Sequence, residues 1–561
     1  MERLRKKQRI KHYLKEQEPE VLDVIKTNPH LEMYIGNINH GLSLPEYYET
    51  LNRGMADIEE PNLIYNVGEG VFIHVFPGDK RTIYHPVEPE LTKHVQESIE
   101  EVMKRLTILI SSDMAPKTSK EHIELFDKLL DRIIPNSSNM FSKFLPTMKG
   151  VSPAVKERIR YYFIRDKIGL GVLQPLILDT FIEDISCNGL TPIFIEHKIF
   201  KSLQSTIEFA NMAALDRFVL SLTERSGRPA THSAPIVDAV LPDGSRLNAI
   251  YGRDLSKKGS NFTIRKVSET PLSISQLVSF RGLTAEIAAY IWMALDNGMS
   301  MFIVGETASG KTTLLNACLA FIHPTAKIVS IEDTPEVLPP HINWAREVTR
   351  PASAGSAVDT FDLLKAGLRQ RPNYIIIGEI RGAEGNTAFQ AIQTGHPVIS
   401  TFHAGTVKSL INRLTGEPIN IPPHFIKFLD LAIIQNAVHT ADGKLLRRLI
   451  SANELVGYSQ RTGNYSFVEL ASWDAKTDTH NFLKSSHILE NKIAPRRGIK
   501  RKDIKILYKE HKTKTLIIEG MIKFGVMHWD DVWELLQNYK LKKKLPDNIA
   551  KFVTEGLRGW K

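Results

Sequence analysis

The stretch MFIVGETASGKTTLLNACLA, from Met301 to Ala320, constrains the fold more than any other. A short apolar run, Met301 to Val304, leads into a glycine-bearing loop, and a helical pattern starts at Lys311. Gly305, Gly310, Lys311 and Thr312 fit the spacing G-x-x-x-x-G-K-[ST]. Glycines so placed let backbone N–H groups turn inward onto phosphate oxygens, and the helix start adds the positive end of its dipole. The loop Gly305, Glu306, Thr307, Ala308, Ser309, Gly310, Lys311, Thr312, Thr313 is therefore expected to wrap the phosphates of ATP. Lys311 would reach the β- and γ-phosphates, and the Thr312 hydroxyl would bind Mg²⁺.

A strand–loop–helix of this kind needs a parallel sheet around it. From about Leu272 the chain alternates helical and apolar strand-like segments, which predicts an α/β domain. Upstream, from about Asp179, the period is two. IEDISCNG and PIFIEHKIFKSLQSTIEF read as strands, and PIVDAVLPDGSRLNAIYG as two strands around Pro242-Asp243-Gly244-Ser245, with NFTIRKV as a final strand. NMAALDRFVLSLTERSG reads as a helix capped by Asn211 and Gly227, so this region is α+β. Pro271 marks a linker between the two. LTKHVQESIEEVMKRLTILI and APKTSKEHIELFDKLLDRII are helical in period. The division expected is a basic N-terminal extension (1–90), a helical and α+β domain (91–270), an ATPase core (271–445) and a basic, partly helical region (446–561). In that last region DDVWELLQNYKLKKKLPDNIAKFV reads as helical and surface-lying.

At 561 residues the chain exceeds one compact core, and 42% hydrophobic with 24% charged residues is the composition of a folded soluble protein. No apolar run is long enough to cross a bilayer, and the basic N-terminus lacks the apolar segment of a secretory signal, so a cytosolic location is expected. The two cysteines, Cys187 and Cys318, have no metal-ligand spacing and read as small core residues. The formal net charge of +9 is compatible with a nucleic acid or anionic lipid partner.

Carboxylates follow at the ends of later strands, where open α/β sheets place ligands. AKIVSIED delivers Glu332 and Asp333, and NYIIIGE delivers Glu379. Many P-loop ATPases carry an Asp where this chain has Gly378, and here the carboxylate comes one residue later. PVISTFH brings His403 to the edge, with His396 in the preceding turn.

The segment Leu363 to Gly405, LLKAGLRQRPNYIIIGEIRGAEGNTAFQAIQTGHPVISTFHAG, resembles the core of the secretion ATPase superfamily, the traffic ATPases of type II secretion, type IV pili, type IV secretion and the archaellum. GETASGKTT resembles its Walker A, IEDTPE its acidic box, RPNYIIIGEIRG its Walker B and GHPVISTFHAGT its histidine box. The likeness covers about residues 180–440. The chain lacks the cysteines of the zinc module that bacterial pilus-extension and type II members carry, and LRQRPNYIIIGEIRG and GSNFTIRK are most similar to archaeal members.

The resemblance implies an N-terminal α+β domain hinged to a RecA-like ATPase domain, assembled as a homohexamer with nucleotide between domains. It implies Glu332 as the base for the attacking water and Glu379 as a Mg²⁺ holder through water, roles the two glutamates could exchange, with His403 sensing the γ-phosphate. Phosphoryl transfer needs added positive charge. Arg246 and Arg265 on the upstream domain are candidates, with Arg369, Arg371 and Arg381 in the ATPase domain; surface ion pairing is the bland role for any of them. The partner implied is a polytopic membrane platform protein, through which pilin-like subunits are lifted into an archaellum or pilus. The basic residues Arg3, Arg5, Lys6, Lys7, Arg9, Lys11 and Lys15 fit either a solvated tail or docking on anionic lipid. A RecA-like nucleic-acid translocase is the alternative function, disfavoured because no aromatic-rich basic groove is evident.

Overall fold

The computed structural model describes residues 19–38, 43–109, 116, 119–135, 148, 151–267, 270–350, 357–439, 445–461, 463–483 and 485–558. The basic N-terminal cations Arg3 to Lys15 lie outside the described residues. The chain divides into two compact units, Met1–Ser268 and Glu269–Lys561.

In the first unit, ten described strands form one sheet. Its spatial order is Glu46–Tyr48, Leu63–Gly68, Val71–Pro77, Thr82–Val87, Lys201–Ser205, Phe194–His197, Ile182–Cys187, Asn261–Arg265, Arg246–Ile250 and Ile236–Val240. Pairing is antiparallel except at Glu46–Tyr48 and at the short junction Ile83↔Gln204, Tyr84↔Ser205. The strands between Leu63 and Val87 escape an alternation-based reading because they are covered on both faces. Tyr65, Val71 and Ile73 pack with the main core of this unit, while Ile64, Phe72 and Val87 pack with Ile25, Leu31 and Ile35 of the helices Pro19–Thr27 and Pro29–Asn37. A strand buried on both faces shows a continuous apolar run rather than a period of two. The buried Asp179 carboxylate joins the two halves of the sheet, accepting from Tyr65 Oη at 2.5 Å and Tyr84 Oη at 2.8 Å.

In the second unit, nine described strands form a second sheet. The order is Trp344–Val348, Ile328–Glu332, Tyr374–Ile380, Val398–Phe402, Met301–Val304, Leu431–His439, Leu445–Ser459, Asn464–Asp474 and Thr479–Phe482. The first six run parallel, so their C-terminal ends share one edge. The last three return antiparallel. The helix Ala285–Asp296 is apolar nearly all round, and from Ala285 to Leu295 only Glu286 lacks a buried position. A helix of that kind must be covered on both sides.

Its second cover is the C-terminal region, and here the structure corrects the expectation of a surface-lying segment. That segment forms two helices, Trp529–Lys542 and Asp547–Arg558, broken at Lys543, whose φ is +54°. Val532, Leu536 and Ile549 are wholly buried in one cluster with Trp292, Ile517 and Ile518. The sequence misleads because lysines occupy core-facing positions. Lys514 and Lys540 both reach the Asp296 carboxylate, at 2.5 and 2.7 Å, with their ammonium groups over the Trp292 ring.

Candidate nucleotide-binding site

The loop after Met301–Val304 is shaped by close backbone approach. A Cβ on Gly305 would lie 2.0 Å from the Gln435 carbonyl oxygen, so only glycine fits beside the neighbouring strand. Gly310 caps the helix Lys311–Leu319 at φ +88°, and Ala308 is held at φ +61°. Lys311 is buried, with Nζ donating to the Glu306 carbonyl at 2.8 Å. Burial lowers its pKa, with the charges of Glu379 and Glu336 opposing. The buried Ser309 hydroxyl has no hydrogen-bond partner among the described residues. An inward-facing lysine on a replaceable carbonyl contact, an unspent hydroxyl and a glycine-lined turn fit a phosphate chain.

Glu332 ends the strand Ile328–Glu332 and is 2% exposed. Its Oε1 accepts from the backbone N–H groups of Glu336 and Val337, both at 2.7 Å. Oε2 has no hydrogen-bond partner among the described residues and faces Arg346 Nε at 3.6 Å. Burial pushes this carboxyl up to about 7, the two backbone donors and Arg346 opposing. That value suits a group that takes a proton near neutral pH. Asp333, one residue on, accepts from Thr349 Oγ1 at 3.0 Å and is exposed.

The displaced carboxylate of the next strand has a local cause. Pairing between Tyr374–Ile380 and Val398–Phe402 runs Ile377↔Ser400 and then Glu379↔Thr401, so Gly378 is an extra residue in a bulge. Thr401 Oγ1 donates to the Gly378 carbonyl at 2.6 Å. A Cβ on Gly378 would sit 3.3 Å from Glu332 Cγ, so the glycine leaves room for the neighbouring glutamate. Bulges re-aim side chains in this way. Glu379 Oε1 lies 2.8 Å from His403 Nε2, and Oε2 accepts from Arg381, with Nε at 2.8 Å. Burial lowers the His403 pKa, with Lys311 adding to the effect and Glu379 opposing it.

Lys311, Glu332, Glu379, Arg381 and His403 thus gather at the C-terminal edge of one parallel sheet. His396, Arg369 and Arg371 do not join them. His396 precedes Val398, and the two arginines precede Tyr374, where Asn373 N–H donates to the Lys327 carbonyl at the start of the adjacent strand. All three sit at the opposite edge, so Arg369 and Arg371 are not near this chain's own loop. Arg246 and Arg265 belong to the first unit, where they are register partners on adjacent strands. Arg246 pairs with Asp238 at 3.0 Å and Arg265 with Asp184 at 3.0 Å. Two arginines missed by the sequence reading serve the site: Arg346, and Arg447, whose Nε donates to the Ala308 carbonyl at 3.0 Å. The available signal was two arginines inside the strand-like LLRRLI.

This combination of an α+β unit and a RecA-like α/β unit with a P-loop defines a two-domain P-loop nucleotide-binding protein. The chain belongs to the family described as Type II/IV secretion system protein, whose profile matches residues 166–478. Uncharacterized protein MJ0900 of Methanocaldococcus jannaschii is 40% identical over 97% of this chain and 98% of its own length. Conjugal transfer protein TrbB of Rhizobium radiobacter is 34% identical over 36% of this chain and 62% of its own. The ATPase DotB of Legionella pneumophila aligns in structure at a TM-score of 0.37 and 20% identity, over 64% of this chain and 92% of its own.

Proposed function

We propose that the protein is a Mg²⁺-dependent ATPase motor that drives assembly or secretion of pilin-like subunits, into an archaellum or type IV pilus filament, through a polytopic membrane platform protein. The observation that carries this reading is the convergence of Lys311, Glu332, Glu379 and His403 at one sheet edge in a member of the Type II/IV secretion family.

ATP is the substrate, held by residues Gly305 to Thr313 with Lys311 on the β- and γ-phosphates. Thr312 and, through water, Glu379 would hold Mg²⁺, which supplies charge neutralisation on the phosphates. Glu332 Oε2 takes a proton from the attacking water as its oxygen bonds the γ-phosphorus and the bond to the ADP oxygen breaks. His403, beside Glu379, reports on the γ-phosphate region. Arg381 is released from Glu379 toward developing charge, with Arg246 and Arg265 as the further candidate donors. The assembly is a homohexamer at the inner face of the cell membrane, where closure and opening push on the platform.

Replacing Lys311 with Ala tests the site: nucleotide binding or turnover should be lost, and normal hydrolysis would refute the loop's role. Co-purification with membranes, with and without ATP, tests the motor by identifying the integral protein retained. ATPase activity stimulated by DNA, with no membrane protein retained, would favour a translocase instead.

A further inference from the structure

Residues 496–512 carry eight Lys and Arg against two acids, Asp503 and Glu510, a surplus of six positive charges in a chain of formal net charge +9. The fold turns most of them outward. Arg496, Arg497, Lys500, Arg501, Lys502, Lys505 and Lys509 are exposed. Arg497 is paired with Glu510 at 2.8 Å, and Glu510 also serves the buried Lys514 at 3.2 Å. Lys500, Arg501, Lys502, Lys505 and Lys509 form no ion pair among the described residues. Lys505, Lys509 and Lys512 recur at helical spacing on the first two turns of Lys505–Lys523, while Leu507, His511 and Lys514 of those turns are buried. Ile506, on the flank of that lysine stripe, is 56% exposed.

Helix stability does not account for this arrangement, because cations in a first turn oppose the helix dipole. The two aromatic rings of this stretch are engaged in the fold, with Tyr508 packed against the core. The Tyr508 hydroxyl is spent on Ser486 N–H and Glu490, and His511 is stacked on Phe482 inside the fold. Unpaired lysines beside an exposed aliphatic side chain match the chemistry of an anionic bilayer surface, with ammonium groups at headgroup phosphates and an apolar residue entering the interface.

We infer that the exposed cationic stretch carrying Lys500, Lys502, Lys505, Ile506 and Lys509 docks on an anionic lipid bilayer. This contact is additional to the ATP site and does not depend on it.

Flotation of the full chain with vesicles tests the inference. The protein should float with phosphatidylglycerol-rich vesicles at low salt, not with pure phosphatidylcholine vesicles, and high salt should release it. A Lys500→Glu, Lys502→Glu, Lys505→Glu variant should lose about a hundredfold in vesicle affinity. The N-terminal cations are unchanged in that variant, so retained binding would overturn the inference by assigning attachment elsewhere. Ile506→Ser should weaken binding severalfold and leave an attachment that salt removes completely. All four positions are exposed, so unchanged thermal unfolding midpoints are expected. Failure of the wild type to bind anionic vesicles would overturn the proposal, as would a charge-reversal variant that loses affinity for single-stranded DNA but keeps it for vesicles.

Discussion

The Nε of Arg447, on the strand Leu445–Ser459, donates to the carbonyl oxygen of Ala308 in the phosphate loop at 3.0 Å. A peptide plane whose carbonyl is held on one side turns the following N–H to the other; here that of Ser309 donates to the Glu306 carbonyl at 3.4 Å. Ala308 sits at φ +61°, which costs a non-glycine residue about 1 kcal/mol and needs support from outside the loop. The next residues tie that strand elsewhere. Arg448 Nη1 donates to the Phe280 carbonyl at 3.2 Å, and Leu449 N–H to the Gly282 carbonyl at 2.8 Å. Three consecutive residues thus link the loop to the segment just after the linker between the units. Arg447→Ala is expected to weaken nucleotide binding about tenfold, or ~1.4 kcal/mol, with an unchanged unfolding midpoint. A fluorescent ATP analogue titration measures it, and equal affinities would remove Arg447 from the site.

As the proposed base, Glu332 would link catalysis to stability. Its carboxyl is pushed up to about 7 by burial, whereas an unfolded chain leaves it at the ordinary glutamate value. The protonated form is therefore favoured by folding. Its contribution to stability is full below the ordinary value and is lost as pH rises through about 7. Glu332→Gln should raise the unfolding midpoint at pH 8 by a few degrees and leave it nearly unchanged at pH 4, while abolishing turnover and keeping ATP binding. Wild-type turnover should rise with pH through about 7, because the base must be unprotonated. A midpoint lowered at pH 8 by the substitution would contradict the burial argument.

Gly378 tests the packing between the two glutamate strands. A methyl group there would press on Glu332 Cγ at 3.3 Å, with Glu332 already fixed by two backbone donors. Gly378→Ala should lower turnover about tenfold while nucleotide affinity changes much less, a pattern read by separating kcat from KM. Gly378→Asp, which restores the residue many P-loop enzymes carry at this place, should be worse. Equal turnover in the alanine variant would mean that Glu332 has freedom the packing denies it.

The loop, both glutamates and His403 were legible because each sits where an apolar strand ends, and strand ends are visible in a sequence. The bulge at Gly378 was visible only as a carboxylate one residue late, since pairing register is not written locally. Arg447 was hidden for a different reason: it comes from a strand more than a hundred residues beyond the loop it holds. The strands Leu63–Gly68 and Val71–Pro77 were missed because burial on both faces removes alternation, and the C-terminal helices were misplaced because Lys514 and Lys540 are buried on one aspartate.

Arg246 and Arg265 face each other across adjacent antiparallel strands, a like-charge pair that would be unfavourable without partners. Asp238 and Asp184 each neutralise one of them. Both ion pairs are solvent-exposed, so their loss should cost little stability. Conversely, a guanidinium held loosely on a surface carboxylate can exchange it for a phosphate, and the planar fork suits either. If these arginines complete the nucleotide site, Arg246→Ala and Arg265→Ala should each keep ATP affinity within about tenfold and lower turnover much further. Lysine should rescue poorly, because an ammonium lacks the fork. Mixing either variant with Glu332→Gln protein separates the routes. Recovered activity in mixed assemblies assigns the arginine to a neighbour's site, and no recovery assigns it to its own subunit. Unchanged turnover in both single variants would remove the first unit from catalysis; Arg381, beside Glu379, would then be the donor within the chain, with Arg369 and Arg371 at the opposite sheet edge reaching only a neighbouring subunit's site.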